Sequence, residues 1–346
     1  MAEYNPNNVS IPNGNYFGMP FTPEESDIVL ISVPWDVTTS YRPGTSKGPD
    51  AMLDASLQLD MYDFHNPGGW KRGIGTLEID YSILDTSRKL REEAEKVIIH
   101  LESGGTPEEE YARKKLRKIN EASQHLNEWL YEESRRWMKA GKLVGVVGGD
   151  HSVPLGHIRA VADQEGEIGI LHVDAHADLR KAYEGFVHSH ASIMYNALEL
   201  VSGVKKLVQV AVRDVCEDEM QRIASDGRIR CFTDHELTES RMNGTGWNEQ
   251  CNTIVAELPD KVYVSFDIDG LSPENCPHTG TPVPGGLAFN DAVWLLGKIA
   301  TTGRRIVGFD LCEVAPGNND DWDANMGARM LYKLCNLTLL TNPRPE

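Results

Sequence analysis

The sequence lacks any apolar run that approaches the roughly 20 residues needed for a membrane-spanning helix. It also lacks the basic segment followed by an apolar segment that marks a secretory signal peptide, because its first 18 residues, "MAEYNPNNVSIPNGNYFG", are polar and rich in asparagine. These two absences predict a cytoplasmic protein that has no membrane partner.

Basic residues are scarce relative to acidic ones. The 346 residues include 34 Lys and Arg against 52 Asp and Glu, which gives a formal net charge of -18. Because a nucleic-acid surface needs clustered basic side chains, this balance disfavours a nucleic-acid partner. It suits a neutral or cationic small substrate.

Cysteine is sparse as well. The six cysteines are scattered along the chain and include no Cys-x-x-Cys pair. This usage predicts reduced thiols, several of them in the core, as is typical of a cytosolic protein.

What the sequence does contain is a series of short, nearly continuous apolar runs separated by segments of helical length. Such runs are typical of strands covered on both faces, and their alternation with helices predicts an α/β fold with a parallel sheet between helical layers. The predicted strands are residues 27–33, 143–149, 168–174, 206–212, 262–268 and 305–311.

Residues 86–140 depart from this alternation because they are long and highly charged. Thr106 and Pro107, followed by three glutamates, predict a helix that starts with Pro at its first position, and Gly104 and Gly105 separate it from an earlier helix. An apolar stripe on the second helix comprises Leu116, Ile119, Leu126, Trp129 and Leu130. We interpret the segment as an insertion of two amphipathic helices that packs on the domain or on a neighbouring subunit.

The chain shows no internal repeat, no low-complexity tract and no clear linker. We therefore predict a single domain over residues 1–346. A polar N-terminal extension covers about residues 1–25, and the helical insertion covers about residues 86–140.

Ionisable residues follow three of the predicted strands. "VVGGDHS" contains Asp150 and His151, "HVDAHADL" contains three alternating groups, and "SFDIDGLSP" contains two aspartates. Ligands of open parallel sheets bind at the carboxyl ends of the strands, so these side chains are expected to converge there. The predicted cluster comprises His151, Asp174, His176, Asp178, Asp267 and Asp269.

Burying four carboxylates without partners is unfavourable, and two divalent cations would neutralise four aspartates if both histidines stay neutral. A donor set of nitrogen and oxygen without thiolate favours Mn²⁺, with Fe²⁺, Co²⁺ or Ni²⁺ as alternatives, over a structural zinc site. A pair of such ions activates a shared water for hydrolysis. An aspartate after a strand is more often a helix cap or a turn residue, so this prediction depends on the three motifs together.

These motifs resemble the ureohydrolase family, which includes arginase, agmatinase, guanidinobutyrase, proclavaminate amidinohydrolase and formimidoylglutamase. "GGDHS", "DAHADL" and "SFDIDGLSP" occur in the family's order, and the likeness extends from residues 32–49 to residues 309–316. The resemblance implies a three-layer α/β/α sandwich with a central eight-stranded parallel sheet and a dinuclear manganese centre. It also implies a homo-oligomer, a trimer or a hexamer.

The resemblance further implies a role for each site residue. One metal ion would be held by His151, Asp174, Asp178 and Asp267, and the other by Asp174, His176, Asp267 and Asp269. A bridging hydroxide would attack the guanidinium carbon to release urea and an amine. Glu313 in "CEVAP" would pair with the substrate guanidinium, and His190 in "HASIMY" would pass a proton to the leaving amine, with His188 as the alternative.

The stretches around the predicted site bear on the choice of substrate. "SYRPGT" (40–45) and "TGTPVPGG" (279–286) resemble agmatinases, whereas Cys276 and His278 in "NCPHTGTP" and the stretch "GNNDDWD" (317–323) depart from them. Agmatine is the leading substrate and free guanidine is the main alternative. Guanidino acids and formimidoylglutamate would need a cation such as Arg42 or Arg180 for their carboxylate. A metal-binding scaffold without catalysis is the least favoured alternative.

Overall fold

In the computed structural model, which describes residues 4–344, eight parallel strands form one sheet. The strands are β1 (Ile28–Val33), β2 (Ile74–Thr76), β3 (Leu143–Gly148), β4 (Ile168–Val173), β5 (Val204–Val210), β6 (Ile229–Phe232), β7 (Lys261–Asp267) and β8 (Arg305–Cys312). Their order across the sheet is β2-β1-β3-β8-β7-β4-β5-β6. Residues 1–3 of the predicted N-terminal extension and residues 345–346 of the predicted domain lie outside the described residues.

All six predicted strands are present, and the eight-stranded parallel sheet implied by the resemblance is confirmed. The sequence did not predict β2 and β6, which form the two edges of the sheet. These strands have only three and four residues, so their apolar runs are too short to stand out from loop sequence.

Helices cover both faces of the sheet. They are α1 (Gly48–Ala55), α2 (Tyr81–Glu102), α3 (Glu110–Lys139), α4 (Leu155–Glu165), α5 (Ile193–Leu200), α6 (Glu217–Ser225), α7 (Asp234–Met242), α8 (Trp247–Ala256), α9 (Phe289–Thr301) and α10 (Trp322–Thr341). Within residues 4–344, no helix has both the length and the apolar character that crossing a bilayer demands.

Along each buried strand, successive side chains point to opposite faces of the sheet and pack into two separate hydrophobic cores. In β1, Ile28 and Leu30 face a core shared with α8, α9 and α10, whereas Val29 and Ile31 face a core shared with α2, α3, α4 and α5. Because side chains alternate along a strand, a strand buried on both sides must be apolar throughout. This explains the nearly continuous apolar runs in the sequence.

The helical insertion forms an antiparallel pair, α2 and α3, separated at Gly104, whose φ of 89° is favourable only for glycine. The predicted start of the second helix is wrong by three residues, since α3 begins at Glu110 and not at Pro107. The Glu109 carboxylate accepts the backbone N–H of Thr106 and closes a turn ahead of the helix. Leu116, Ile119, Leu126 and Leu130 of the apolar stripe of α3 are buried in the core shared with α2 and α4, and Trp129 packs against that core while partly exposed.

The N-terminal segment also contributes to the core. Tyr16, Phe17 and Met19, which lie in the stretch described above as a polar extension, are fully buried. The Tyr16 hydroxyl lies 3.0 Å from the Ser32 hydroxyl in β1. The segment is therefore packed on the sheet from about residue 16.

The strand order brings the sequence motifs together. The four central strands, β3, β8, β7 and β4, are neighbours and are all parallel. Their carboxyl ends therefore lie along one edge of the sheet, next to one another. Each of the three predicted ligand motifs and the segment of Glu313 follows one of these strands.

Candidate metal centre

The structure brings all six predicted metal ligands to the carboxyl ends of β3, β4 and β7. The first group surrounds His151, whose Nδ1 faces three carboxylate oxygens. These are Asp174 Oδ2 at 3.0 Å, Asp267 Oδ2 at 3.2 Å and Asp178 Oδ2 at 3.3 Å. One nitrogen and three oxygens thus converge on a single point, which suits one divalent ion.

A second group surrounds His176. Its Nδ1 lies 3.2 Å from Asp269 Oδ2 and 3.4 Å from Asp174 Oδ1. Asp174 therefore contributes one oxygen to each group and joins them. Asp267 contacts the first group through Oδ2, while its Oδ1 accepts the backbone N–H of Asp269 at 2.8 Å.

The carboxylates also organise the loops that carry them. Asp174 Oδ1 accepts the N–H of His176 at 2.6 Å, and Asp269 Oδ1 accepts the N–H of Ala175 at 3.0 Å. Asp178 has a φ of 53°, a left-handed conformation that aspartate tolerates better than most residues. The turn at Asp178 brings its carboxylate back towards His151.

Histidines are the source of positive charge in the cluster, and the neighbouring carboxylates, against the effect of burial, hold the pKa values of His151 and His176 well above the ordinary value. All four carboxylates are buried, and within residues 4–344 their ion pairs are with histidines, with no Lys or Arg involved. Burial, with the charges of Asp269 and Asp174, raises the pKa of Asp267 well above its ordinary value. Burial and the Asp174 charge raise the pKa of Asp178 to about 6. Divalent cations would relieve this repulsion, so the residues present fit a dinuclear metal centre.

Two further residues orient the predicted ligands. His172 Nε2 lies 2.8 Å from Asp174 Oδ2, and Ser265 Oγ lies 2.9 Å from His151 Nε2. The Ser265 hydroxyl also contacts Asp310 Oδ1 at 3.1 Å. Partners of this kind fix the rings and carboxylates that bind a metal.

His172 and Ser265 were not predicted from the sequence, although a signal was present. Each lies on a strand, two positions before an aspartate ligand at or just after the end of that strand, so extended backbone directs both side chains to the same side of the sheet. Asp310 occupies the corresponding face of β8, two positions before Cys312.

The two candidate proton shuttles face different surroundings. His190 lines a cavity of about 140 Å³ beside His176 and Asp178. Burial lowers the pKa of His190 to about 3, so its ring is neutral, and its Nε2 lies 3.3 Å from the Ser40 hydroxyl. His188 lies outside this cavity, and its Nε2 contacts Gln124 Oε1 of α3 at 3.0 Å.

Glu313 follows β8, between the strands that carry His151 and Asp267. It has a φ of 64°, and its Oε1 accepts the N–H of His151 at 2.8 Å. Its Oε2 is buried and has no hydrogen-bond partner among residues 4–344. Burial and the charge of Asp150 raise the pKa of Glu313 well above its ordinary value.

The two arginines considered for a substrate carboxylate differ in position. Arg180 lines the cavity, but its Nε lies 3.6 Å from the Glu219 carboxylate and its guanidinium stacks on the Tyr183 ring at 4.6 Å. Arg42 stacks on Tyr41 at 5.1 Å and does not line the cavity. Of these two arginines, the one that lines the cavity is therefore already paired.

Known proteins resemble this chain over most of its length. A model of the arginase family matches residues 26–336. An N(1)-aminopropylagmatine ureohydrolase of Thermus thermophilus is 31% identical over 318 residues, which cover 91% of each chain. An agmatinase of Bacillus anthracis is 28% identical and covers 85% of each chain. Among solved structures, the proclavaminate amidino hydrolase of Streptomyces clavuligerus covers 97% of this chain and 100% of its own, with a TM-score of 0.70 at 23% identity.

Proposed function

The chain belongs to the arginase family, and we propose that it is an agmatinase-like member that converts agmatine to urea and putrescine. The reaction class is metal-dependent hydrolysis of a guanidino compound. One observation carries the proposal. Four buried aspartates and two histidines converge without a Lys or Arg partner in the described residues, next to a cavity lined by a neutral histidine.

The proposed ligand sets extend the two groups, with Asp267 added to the His176 group because the family resemblance implies that it bridges the ions. We assign His151, Asp174, Asp178 and Asp267 to one ion, and Asp174, His176, Asp267 and Asp269 to the other. Mn²⁺ is the proposed metal and Ni²⁺ is the alternative, because both accept mixed nitrogen and oxygen donors. When bound, two such ions lower the pKa of a shared water and supply a hydroxide nucleophile at neutral pH.

Glu313 is the proposed binding residue for the guanidinium group. Its buried Oε2 faces no donor in residues 4–344, and a planar cation with several N–H groups would provide one. A cation placed there also favours the ionised form of a carboxyl group whose pKa is otherwise raised by burial. Binding of the guanidinium group would therefore stabilise the negative charge of the Glu313 carboxylate with which it pairs.

His190 is the proposed proton shuttle. Its ring is neutral and lines the cavity together with His176, so it is able to accept a proton and to pass it to the leaving amine. We assign the transfer to Nε2, which faces the Ser40 hydroxyl. His188 is the weaker candidate because its ring nitrogen is directed to Gln124.

Free guanidine is a second candidate substrate, favoured by the size of the cavity. Its volume of about 140 Å³ is well below the roughly 300 Å³ at which pockets for drug-sized ligands begin. The similarity to N(1)-aminopropylagmatine and agmatine ureohydrolases favours a substituted guanidine instead. Guanidino acids are less favoured because Arg180 is already paired with Glu219.

Urea release from a panel of substrates tests the proposal. The panel comprises agmatine, N(1)-aminopropylagmatine, guanidine, 4-guanidinobutyrate and arginine, each assayed with Mn²⁺ and then with Ni²⁺. We expect the highest kcat/KM for agmatine. If urea were released from guanidine but not from agmatine, guanidine would be the substrate in place of agmatine. If no compound released urea, the metal-binding scaffold or the formimidoylglutamate hydrolase alternative would be favoured.

A further inference from the structure

Two sequence stretches that depart from the agmatinase pattern meet in the structure. Asp323, from "GNNDDWD", is fully buried in the first turn of α10. It accepts three hydrogen bonds from "NCPHTGTP": the Cys276 thiol at 3.1 Å, the backbone N–H of His278 at 2.8 Å and His278 Nδ1 at 2.8 Å. We call Cys276, His278 and Asp323 the clasp.

Further contacts hold the same loop to the start of α10. The indole N–H of Trp322 donates to the backbone carbonyl of Glu274 at 2.9 Å. Gly317 lies so close to His278 that a Cβ atom would come within 2.8 Å of the ring. The loop from residue 274 is thus fixed by its side chains and by its backbone.

The loop then passes directly over Glu313. The Thr279 hydroxyl, which is buried, donates to the backbone carbonyl of Glu313 at 2.8 Å. A Cβ at Gly280 would lie 3.2 Å from Glu313 Oε2, and the Thr281 hydroxyl lies 3.3 Å from Asp269 Oδ2. Residues 279–281 therefore form a wall against the buried Glu313 carboxylate.

The wall bears on substrate binding because both the backbone conformation and the burial of Glu313 are energetically unfavourable. Its backbone is left-handed, and its Oε2 is buried without a partner in the described chain. Both features persist only when the surroundings hold the residue in place. Excluding water also strengthens the pairing of a carboxylate with a cation, because the local dielectric constant is low.

We propose that the clasp is a positioning device for substrate binding. By holding residues 279–281 against Glu313, it sets the affinity for the guanidinium group and leaves metal content and the chemical step little changed. Asp323, Cys276 and His278 are positioning residues, since they act through the wall. This inference rests on the proposed role of Glu313 in the proposed function.

Kinetics of Asp323→Ala test the clasp. The substitution removes the acceptor of all three hydrogen bonds, so we expect KM to rise about 10-fold or more, as for the loss of hydrogen bonds to a buried charge. We expect kcat to stay within about 3-fold and the metal content to match wild type. The control is Asp321→Ala, an exposed neighbour whose side chain makes no capping bond, and it should leave KM unchanged.

Two further variants separate a positioning role from a general loss of stability. Cys276→Ser keeps a donor for Asp323 and should retain the wild-type KM, whereas His278→Ala, at a partly exposed position, should raise KM even if Asp323→Ala fails to fold. Thr279→Val should raise KM, and its effect should not add to that of His278→Ala, because both act through the same loop.

The outcomes distinguish the two hypotheses. An unchanged KM in His278→Ala and Asp323→Ala, with normal urea release by wild type, would overturn the clasp alone. A fall in kcat at constant KM, or a loss of metal ions, would also overturn it. If the wild-type enzyme released no urea from any guanidino compound, the proposed function would fail and the role of the clasp would fail with it.

Discussion

In the α2–α3 hairpin, Glu93 faces two cations, whereas in the metal centre Asp267 shares one histidine, His151, with two other carboxylates. Lys115 and Lys96 hydrogen-bond to Glu93, the latter at 2.7 Å, and they lower the pKa of Glu93 to about 2. Burial and neighbouring negative charge shift the pKa of Asp267 in the opposite direction. A carboxylate thus has two lysine partners of its own in one region and only a share of one histidine in the other.

This difference indicates where the chain needs an external partner. The hairpin supplies its own positive charge, so removing one pair changes little there. The centre collects four aspartates at one sheet edge and pairs them with histidines alone among residues 4–344, so bound divalent cations would stabilise the folded chain. A local conflict of this kind is typical of a functional site.

The largest effect is expected from Asp267→Ala. The substitution removes an oxygen from the His151 group, so we expect loss of bound metal, measured by elemental analysis, and urea release at the background of the assay. Glu93→Ala in the hairpin is the matched control and should retain metal and activity. Retention of two ions in Asp267→Ala would contradict the ligand assignment.

A smaller effect is expected from His190→Ala. Loss of a proton-transfer group should lower kcat by about 10²- to 10⁴-fold with the metal content unchanged. His188→Ala is the control, because the ring contacts Gln124 of α3 instead of lining the cavity. If kcat fell in His188→Ala and not in His190→Ala, the assignment of the shuttle would be reversed.

Ser265→Ala tests whether the hydrogen bond between Ser265 and the His151 ring contributes to metal binding. The variant removes the hydroxyl between His151 and Asp310, so metal affinity, measured by titration of the metal-free protein, should fall by about 10- to 100-fold. Ser225→Ala, at the end of α6, should bind metal like wild type. An unchanged affinity in Ser265→Ala would show that His151 is oriented without this contact.

The smallest effect is expected in the hairpin. The folded pKa of Glu93, about 2, is below the ordinary value of 4.5, so its contribution to stability is present above pH 4.5 and is lost as the pH falls towards 2. Thermal unfolding should therefore show Glu93→Gln to be less stable at neutral pH, by no more than about 1 kcal/mol, with the difference shrinking in acid. A difference that grew in acid would contradict this pairing.

The contrast also explains what the sequence was able to predict. The six candidate ligands lie in short motifs directly after apolar strands, so their neighbourhood follows from the order of parallel strands. Asp310 lies 45 residues from Ser265 and Asp323 lies 47 residues from Cys276, and no local pattern links such pairs. Their contacts depend on tertiary packing.

Other errors have local causes. The strands β2 and β6 are too short to give a periodic signal, and the carboxylate of Glu109 closes a turn where Pro107 predicted the first helical residue. Tyr16 and Phe17 lie in an asparagine-rich stretch whose average composition is polar, yet both are buried. Composition averaged over a segment conceals such single anchoring residues.

The metal content of the wild-type chain tests the central claim most directly. The chain is stripped with a chelator, reconstituted with Mn²⁺, desalted and analysed for bound metal per folded chain. We predict two manganese ions per chain, since four buried aspartates at the sheet edge have no Lys or Arg partner among residues 4–344. A folded chain that retains no metal after reconstitution would contradict the account.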